Sequence, residues 1–248
     1  GFAIHENDAY MPLPIYTASN IVRGLDDFRK NHPAIRPDGK TQVTVDYYDG
    51  KPVRIDTVVL SVQHDDTISN EELRSLFTPY LSSFLPLKDD KTKFLINPSG
   101  RFIIGGPQGD TGLTGRKIVV DTYGAYGRIG GGAFSGKDPT KIDRSAAYMA
   151  RYLAKQIVAS KQAYACEIEI AYAIGLKEPV SLRVNTFGSA NDQKLIKTIR
   201  SNFDLSPRGI INYLDLERPI YSPTAFGGHF GHSEYPWEKL DTVSLFTG

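Results

Sequence analysis

The sequence predicts an α+β fold built from two repeated units, each an antiparallel sheet packed on helices. Two observations predict it. The order helix, β-hairpin, helix occurs twice, and its copies begin about 125 residues apart. Within each copy the apolar residues change from helical spacing to strict alternation and back again. The residue identities of the two copies differ, so a chance succession of common elements is the alternative interpretation.

The first copy opens with an amphipathic helix over residues 17–31, in which Ile21, Leu25 and Phe28 share one face. The following Arg-Pro-Asp-Gly-Lys at residues 36–40 is typical of a turn.

Alternating residues then predict a β-hairpin with strands over 43–47 and 53–63, joined at the Asp-Gly pair of residues 49–50. Ser69 and Glu72 have the spacing of a capping box and start a helix that runs to residue 84.

The second copy begins with an alanine-rich helix over residues 143–160, for which Asp143 is the candidate N-cap. Cys166 opens the next strand and is expected to be a buried small hydrophobe. The other predicted elements of this half are strands over 166–174 and 180–187 and helices over 191–203 and 207–216.

The segment 93–141 between the copies has a different character. It is predicted to hold a strand over 93–96, a turn, and a continuation of that strand over 101–104. Three glycine-rich turns follow, separated by charged residues. Residues 1–4 at the other end of the chain are also typical of a strand.

Charge and composition exclude several classes of function. The 248 residues include 29 Lys+Arg and 28 Asp+Glu, for a net charge of +1, which excludes a polybasic nucleic-acid arm and an acidic solvating tail. No stretch approaches the roughly 18 apolar residues that a membrane-spanning helix needs. The single cysteine cannot form an internal disulfide, and a cytoplasmic location is expected.

One glycine-rich loop has the spacing of a phosphate-binding motif. Residues 131–137 satisfy G-x-x-x-x-G-K, in which glycines let backbone N–H groups converge on phosphate oxygens. The next residue is Asp138, where an ordinary P-loop has the Ser or Thr that holds Mg²⁺. An ordinary P-loop nucleotidase is therefore not expected, and a structural glycine turn is an equal alternative to another phosphate-binding loop.

Cations cluster around this loop. Arg116, Lys117, Lys137 and Lys141 lie beside glycines or at a helix start, and the helix that begins near Asp143 directs its positive end toward them. Such a cluster suits a polyphosphate, and the acidic residues between the cations suggest Mg²⁺ or a bound amine. Taken singly, each lysine could be a solvated surface charge and each aspartate a cap or a salt-bridge partner.

Three blocks of the sequence resemble S-adenosylmethionine synthetase (methionine adenosyltransferase) of the bacterial type. They are GGPQGDTGLTGRK at residues 105–117, DTYG at 121–124 and GGAFSGKDP at 131–139. Further similar blocks lie at residues 11–14, 36–40, 228–231 and 236–239. The resemblance implies that family's fold, with a central domain over 1–103 and a C-terminal domain over 104–248.

The resemblance also implies an activity. Members of the family are transferases that join ATP to L-methionine and hydrolyse the released triphosphate to pyrophosphate and phosphate. They use Mg²⁺ and K⁺, and their site forms between subunits of a homodimer or homotetramer. No nucleic-acid or membrane partner is implied.

The resemblance also implies a role for each of several residues of this sequence. Lys137 and Lys141 would hold the triphosphate, Arg116 and Lys117 would add positive charge, and Asp143 would be a metal-site aspartate. The residues expected to contact ATP or methionine are Asp38, Lys40, Arg101, Phe102 as a stacking ring, Asp110, Ala133 through its backbone, and Ile174 near adenine.

Family members start with one more copy of the repeat, and Gly1 matches the last glycine of a motif that ends that copy. This departure predicts a chain with two of three repeats and no N-terminal domain, which alone makes no S-adenosylmethionine. The alternatives are a catalytically inactive nucleotide- or polyphosphate-binding fragment and a scaffold subunit.

Overall fold

A computed structural model describes residues 1–247. Its elements are the strands β1 (Phe2–Ile4), β2 (Ile35–Tyr48), β3 (Lys51–His64), β4 (Lys93–Ile96), β5 (Ala165–Ala171) and β6 (Ser181–Asn185), and the helices α1 (Leu13–Lys30), α2 (Asn70–Ser82), α3 (Ile118–Asp121), α4 (Ile142–Ala159), α5 (Asp192–Asn202) and α6 (Pro207–Leu214). The α+β class and the repeated order of helix, hairpin and helix are confirmed: α1–β2–β3–α2 is followed by α4–β5–β6–α5.

The chain divides into two compact units. One consists of Leu13–Leu113, and the other joins Gly1–Pro12 to the chain from Thr114 onward. The compact units therefore place the first twelve residues with the C-terminal part of the chain. The division into domains at residues 103 and 104 stays a prediction.

The unit Leu13–Leu113 contains a mixed sheet of order β2-β3-β4. β2 and β3 form the predicted antiparallel hairpin, but β4 runs parallel to β3, because the chain crosses over through α2 before it returns to the sheet. The predicted antiparallel pairing is therefore confirmed for β2 and β3, and the parallel strand β4 makes the sheet of this unit mixed. The strand expected over residues 101–104 is wrong, since these residues have no regular structure.

The turn predicted at residues 36–40 is also wrong. These residues belong to β2, and the register between β2 and β3 shifts between Ile35 and Gly39. The Pro and Gly that are typical of a turn are accommodated here by an irregularity in a strand, where ladder hydrogen bonds are missing.

Both helices of this unit cover the sheet with apolar side chains. Ile21 of α1 and Phe77 of α2 pack in one buried cluster with Val58 and Leu60 of β3. The capping box predicted at the start of α2 is confirmed, since Ser69 accepts from the Glu72 N–H and the Glu72 side chain accepts from the Ser69 N–H.

The other unit is organised around α4. Its sheet has the order β1-β5-β6, with both pairs antiparallel, and α4 packs against β1 and β5. Small side chains let the sheet and the C-terminal segments approach α4 closely, so most of this helix is buried. Its N-cap is Lys141 and Asp143 lies inside the first turn, so the prediction of Asp143 as N-cap is wrong.

Two further sequence predictions concern this unit. Cys166 is fully buried on β5, as expected of a small hydrophobe, and burial raises the pKa of its thiol above the usual range. β5 ends at Ala171, three residues before the predicted end, so Ile174 lies in the turn that follows. Among the residues described, no helix combines the length and apolar character needed to cross a bilayer.

Charged side chains form a buried network on α4. Arg151 and Glu238 are joined by two hydrogen bonds of 3.0 and 2.9 Å, and both side chains are fully buried. Lys155, one turn further along α4, donates to the same carboxylate over 2.8 Å. Burial alone would raise the pKa of Glu238, but the two cations hold it below its usual value.

The same network ties distant parts of the chain to α4. Arg151 donates to the carbonyl oxygens of Phe2, Ala9 and Tyr10, and the Glu238 carboxylate accepts from the Gly231 N–H over 2.7 Å. A charge-assisted network therefore fixes the first residues of the chain and its C-terminal segment on one helix.

We expect Glu238→Gln to lower the free energy of unfolding by about 3–5 kcal/mol, because it leaves two buried cations without their counter-charge. Urea denaturation measures the change. Glu217→Gln is the matched control, since Glu217 forms an exposed 2.7 Å ion pair with Arg208 and its loss should have no measurable effect. Equal stabilities of Glu238→Gln and wild type would contradict the structural role of the network.

Candidate functional site

The glycine-rich loop of residues 131–137 lies just before α4. An added Cβ at Gly132 would lie 2.3 Å from Cγ of Asp143, so only glycine permits this approach of the loop to the first turn of the helix. Gly136 has a φ of 88°, in the left-handed region that favours glycine. The loop does not follow a strand. The regular element before it is the short helix α3, and residues 138–141 separate it from α4, so it lacks the strand–loop–helix order of an ordinary P-loop.

Lys137 and Asp143 are brought together by this loop. The Lys137 ammonium lies 2.5 Å from the Asp143 carboxylate, with side-chain exposures of 31% and 50%. Because both groups remain accessible, they can meet a solvent-borne ligand, the ammonium binding an anion and the carboxylate binding a cation.

Lys141 is directed to a different carboxylate. Its ammonium lies 2.9 Å from Asp138, and both side chains are more than half exposed. Hydrogen bonds from Thr140 and then from Lys141 hold the pKa of Asp138 below its usual value. The interpretation of Asp138 as a salt-bridge partner agrees with this pair.

Arg116 and Lys117 are exposed residues of a second glycine-rich segment. This segment approaches the loop through Gly115, where an added Cβ would lie 2.5 Å from Cβ of Ala133. Lys117 is the N-cap of the short helix α3. The structure thus places the second pair of cations next to the loop that carries Lys137.

A cavity of about 390 Å³ lies beside this loop. Gly130, Gly132 and Asp143 form part of its wall, together with the alanines on one face of α4. Arg128 and Glu167, which form an ion pair of 3.1 Å, line it as well. Among the sequence-predicted site residues, Asp143 is the one that lines the cavity.

The magnesium ion that the resemblance implies can be tested against the donors at the loop. Asp143 supplies a single accessible carboxylate, and nowhere among the described residues do three His, Cys, Asp or Glu side chains form a group suited to a metal ion. Mg²⁺ in phosphate-binding sites is typically held by one or two carboxylates together with phosphate oxygens and water. Asp143 fits that role where phosphate oxygens supply further ligands.

The unit Leu13–Leu113 carries the remaining predicted site residues except Ile174. Asp38 lies in the irregular part of β2 and accepts from the Gly106 N–H over 2.7 Å. Gly105 approaches so closely that an added Cβ would lie 2.9 Å from the Asp38 carboxylate. Lys40, two residues along β2, is exposed and pairs with Ser61 of β3.

Phe102 is fixed at the same end of the hairpin by His64. The His64 backbone N–H donates to the Phe102 carbonyl over 2.9 Å, and Nε2 of the His64 ring accepts from the Phe102 N–H over 3.1 Å. Arg101 reaches the Asp66 carbonyl over 2.6 Å. The structure therefore gathers Asp38, Arg101 and Phe102 around the start of β2 and the end of β3.

Two further predicted contact residues are exposed. Asp110 is exposed and its carboxylate accepts from the Gly112 N–H over 3.0 Å, which is an Asx turn within its own loop. Ile174 is fully exposed in the turn after β5. Their roles toward methionine and adenine stay predictions.

Three buried residues next to the loop are not among the predicted site residues. Arg144 donates to the Lys137 carbonyl over 2.8 Å, and Tyr148 lies 2.7 Å from His229. Burial, and then the nearby charge of Arg144, lowers the pKa of His229 to about 4, so its ring is neutral at pH 7. One feature of the sequence could have indicated them: Arg144 and Tyr148 are four residues apart on a largely apolar helix, so their side chains share one face.

Comparisons with known proteins cover nearly the whole chain. A family model described as S-adenosylmethionine synthetase, central domain, matches residues 1–102, and one described as S-adenosylmethionine synthetase, C-terminal domain, matches residues 104–239. A Staphylococcus epidermidis protein named S-adenosylmethionine synthase is 54% identical over 99% of this chain. A Myxococcus xanthus protein of the same name is 55% identical over 97% of it.

The chain is shorter than these relatives. The matched regions make up 64% of the Staphylococcus epidermidis protein and 63% of the Myxococcus xanthus protein.

We expect Gly132→Ala to displace Asp143 from the loop and to lower the free energy of unfolding by about 1–3 kcal/mol, because the new methyl group overlaps the carboxylate. Gly130→Ala is the control, since no atom lies within 4 Å of a Cβ at that position. Urea denaturation of both variants measures the difference. If Gly132→Ala is as stable as Gly130→Ala, the close approach of loop and helix is wrong.

Proposed function

The chain belongs to the S-adenosylmethionine synthetase family, and on this premise we propose that it carries the triphosphate-binding part of a methionine adenosyltransferase. The intact protein would form S-adenosylmethionine from ATP and L-methionine and hydrolyse the triphosphate to pyrophosphate and phosphate. The observation that carries the proposal is the ion pair of Lys137 and Asp143 in a glycine-rich loop at the start of α4.

The chemistry of the reaction matches the residue types at the loop. The methionine sulfur attacks C5′ of ATP, a C–S bond forms, and the C5′–O bond breaks with its electron pair going to the leaving triphosphate. A thioether is a neutral nucleophile, so no general base is required. The negative charge that develops on the leaving group is instead stabilised by fixed cations.

Lys137 is the cation best placed for this role, since the loop fixes its backbone and its ammonium remains accessible. Lys141, Arg116 and Lys117 add positive charge around the same loop. Asp143 would hold Mg²⁺, which when bound neutralises part of the triphosphate charge. The backbone of Ala133 is available in the same loop for contact with ATP.

The residues of the other unit would bind the nucleoside. Phe102 offers a ring for stacking, and His64 fixes its backbone. Asp38, Lys40 and Arg101 would supply polar groups for the nucleotide, Asp110 would contact both methionine and the adenosine part, and Ile174 would pack near adenine. K⁺, a homodimeric or homotetrameric assembly and a cytoplasmic location complete the proposal.

We expect Lys137→Ala to lower kcat of the intact protein by roughly 10²–10³-fold, because it removes one charge that stabilises the leaving triphosphate. KM for methionine should stay unchanged. Steady-state kinetics of S-adenosylmethionine formation measure both constants. The control is Lys177→Ala, which removes an exposed lysine outside the loop. An unchanged kcat for Lys137→Ala would refute the role of this residue.

A second candidate function is polyphosphate binding without turnover, for which the glycine-rich loop and its accessible Lys137 ammonium suffice. Two assays on the purified chain separate the candidates. We expect calorimetry to detect binding of inorganic triphosphate with Mg²⁺, and we expect no S-adenosylmethionine from ATP, methionine, Mg²⁺ and K⁺. Product formation would refute the second candidate, and absence of triphosphate binding would refute both.

A further inference from the structure

Four polar side chains around α4 form a chain of hydrogen bonds that the proposed reaction does not use. Nε of Arg144 lies 3.0 Å from the Tyr148 hydroxyl, which lies 2.7 Å from Nδ1 of His229. Nε2 of His229 lies 3.3 Å from the hydroxyl of Ser135 in the glycine-rich loop. Arg144, Tyr148 and His229 are buried.

The chemistry of these groups gives the chain one direction. A guanidinium can only donate, so the Tyr148 hydroxyl accepts from Arg144 and has its own proton left to donate to Nδ1 of His229. A neutral imidazole that accepts at Nδ1 carries its proton on Nε2, from which it donates to Ser135. The lowered pKa of His229 agrees with this neutral ring.

Arg144 also holds the other end of the loop. Its guanidinium donates to the Lys137 carbonyl over 2.8 Å and to the Thr224 hydroxyl over 3.0 Å, and it lies 4.2 Å from the centre of the Tyr221 ring. The loop is thus attached to α4 at Ser135 and again at Lys137, and both attachments begin at one buried side chain.

We propose that Arg144, Tyr148 and His229 are positioning residues that fix the glycine-rich loop, so that the Lys137 ammonium is held where the triphosphate binds. This inference rests on the proposed function. A lysine side chain is flexible, and a backbone fixed in advance lowers the entropic cost of placing its charge against a phosphate. The three residues act through the loop and need not touch the ligand.

The test interrupts the chain of hydrogen bonds at two places by substitution. Calorimetry then measures the affinity of each purified variant for inorganic triphosphate with Mg²⁺. Tyr148→Phe removes one hydroxyl and keeps the ring that stacks on Trp237 at 3.7 Å. Ser135→Ala removes the far end. We expect each to weaken binding by about tenfold, as loss of a supporting hydrogen bond typically does. Ser135→Thr keeps a hydroxyl and should bind as wild type does.

The double variant separates positioning from two independent effects. If one missing hydrogen bond already releases the loop, a second missing bond in the same series has no further effect. Tyr148→Phe combined with Ser135→Ala should therefore bind triphosphate no more weakly than either single variant. Tyr152→Phe is the matched control on α4. Its hydroxyl contacts Tyr213 and Thr242 instead of the loop, so its loss should lower Tm and leave triphosphate affinity unchanged.

The positioning role would be overturned, while the proposed function stands, by either of two results. One is wild-type triphosphate affinity in Tyr148→Phe, and the other is a loss of affinity in the double variant that equals the product of the two single losses. If the wild type itself fails to bind triphosphate, both fall. The direction of the chain is tested separately by ¹⁵N NMR of labelled histidine, in which the proton of His229 is expected on Nε2. A proton on Nδ1 would overturn the chain.

Discussion

The Glu238 carboxylate, buried against Arg151 and Lys155, is the interaction on which the larger unit depends. Removing two cations and an anion from water is costly, and only the dense set of hydrogen bonds among them makes the arrangement tolerable. Because Arg151 also binds the carbonyls of the first residues and Glu238 belongs to the C-terminal segment, α4 has one position relative to both. A helix held in this way is a rigid support for whatever lies at its N-terminus.

The glycine-rich loop is attached to this support. Gly132 approaches the first turn of α4, and Arg144 binds the Lys137 carbonyl. These contacts fix the charged groups at the helix start to a helix whose other half is held by buried ion pairs. Rigid placement of charge is what a leaving polyphosphate requires, since preorganised cations need not rearrange as negative charge develops. The buried network in the second half of α4 and the exposed ion pair at its start thus both contribute to the rigid placement of charge.

Sequence predicted the elements whose signals are local. The capping box at Ser69, the hairpin of β2 and β3 and the alanine-rich helix α4 follow from spacing and propensity. The direction of β4, the irregular start of β2 and the true N-cap of α4 depend on tertiary packing, which overrides turn and cap preferences. For the loop, sequence identified the cations, but pairing Lys137 with Asp143 and Lys141 with Asp138 required coordinates.

If the loop at the start of α4 binds the triphosphate through Lys137 and Asp143, a crystal structure of the protein with inorganic triphosphate and Mg²⁺ will show both contacts. We expect the Lys137 ammonium within hydrogen-bond distance of a phosphate oxygen and the Asp143 carboxylate on the metal ion. Triphosphate bound elsewhere, with the ion pair of Lys137 and Asp143 unchanged, would contradict this expectation.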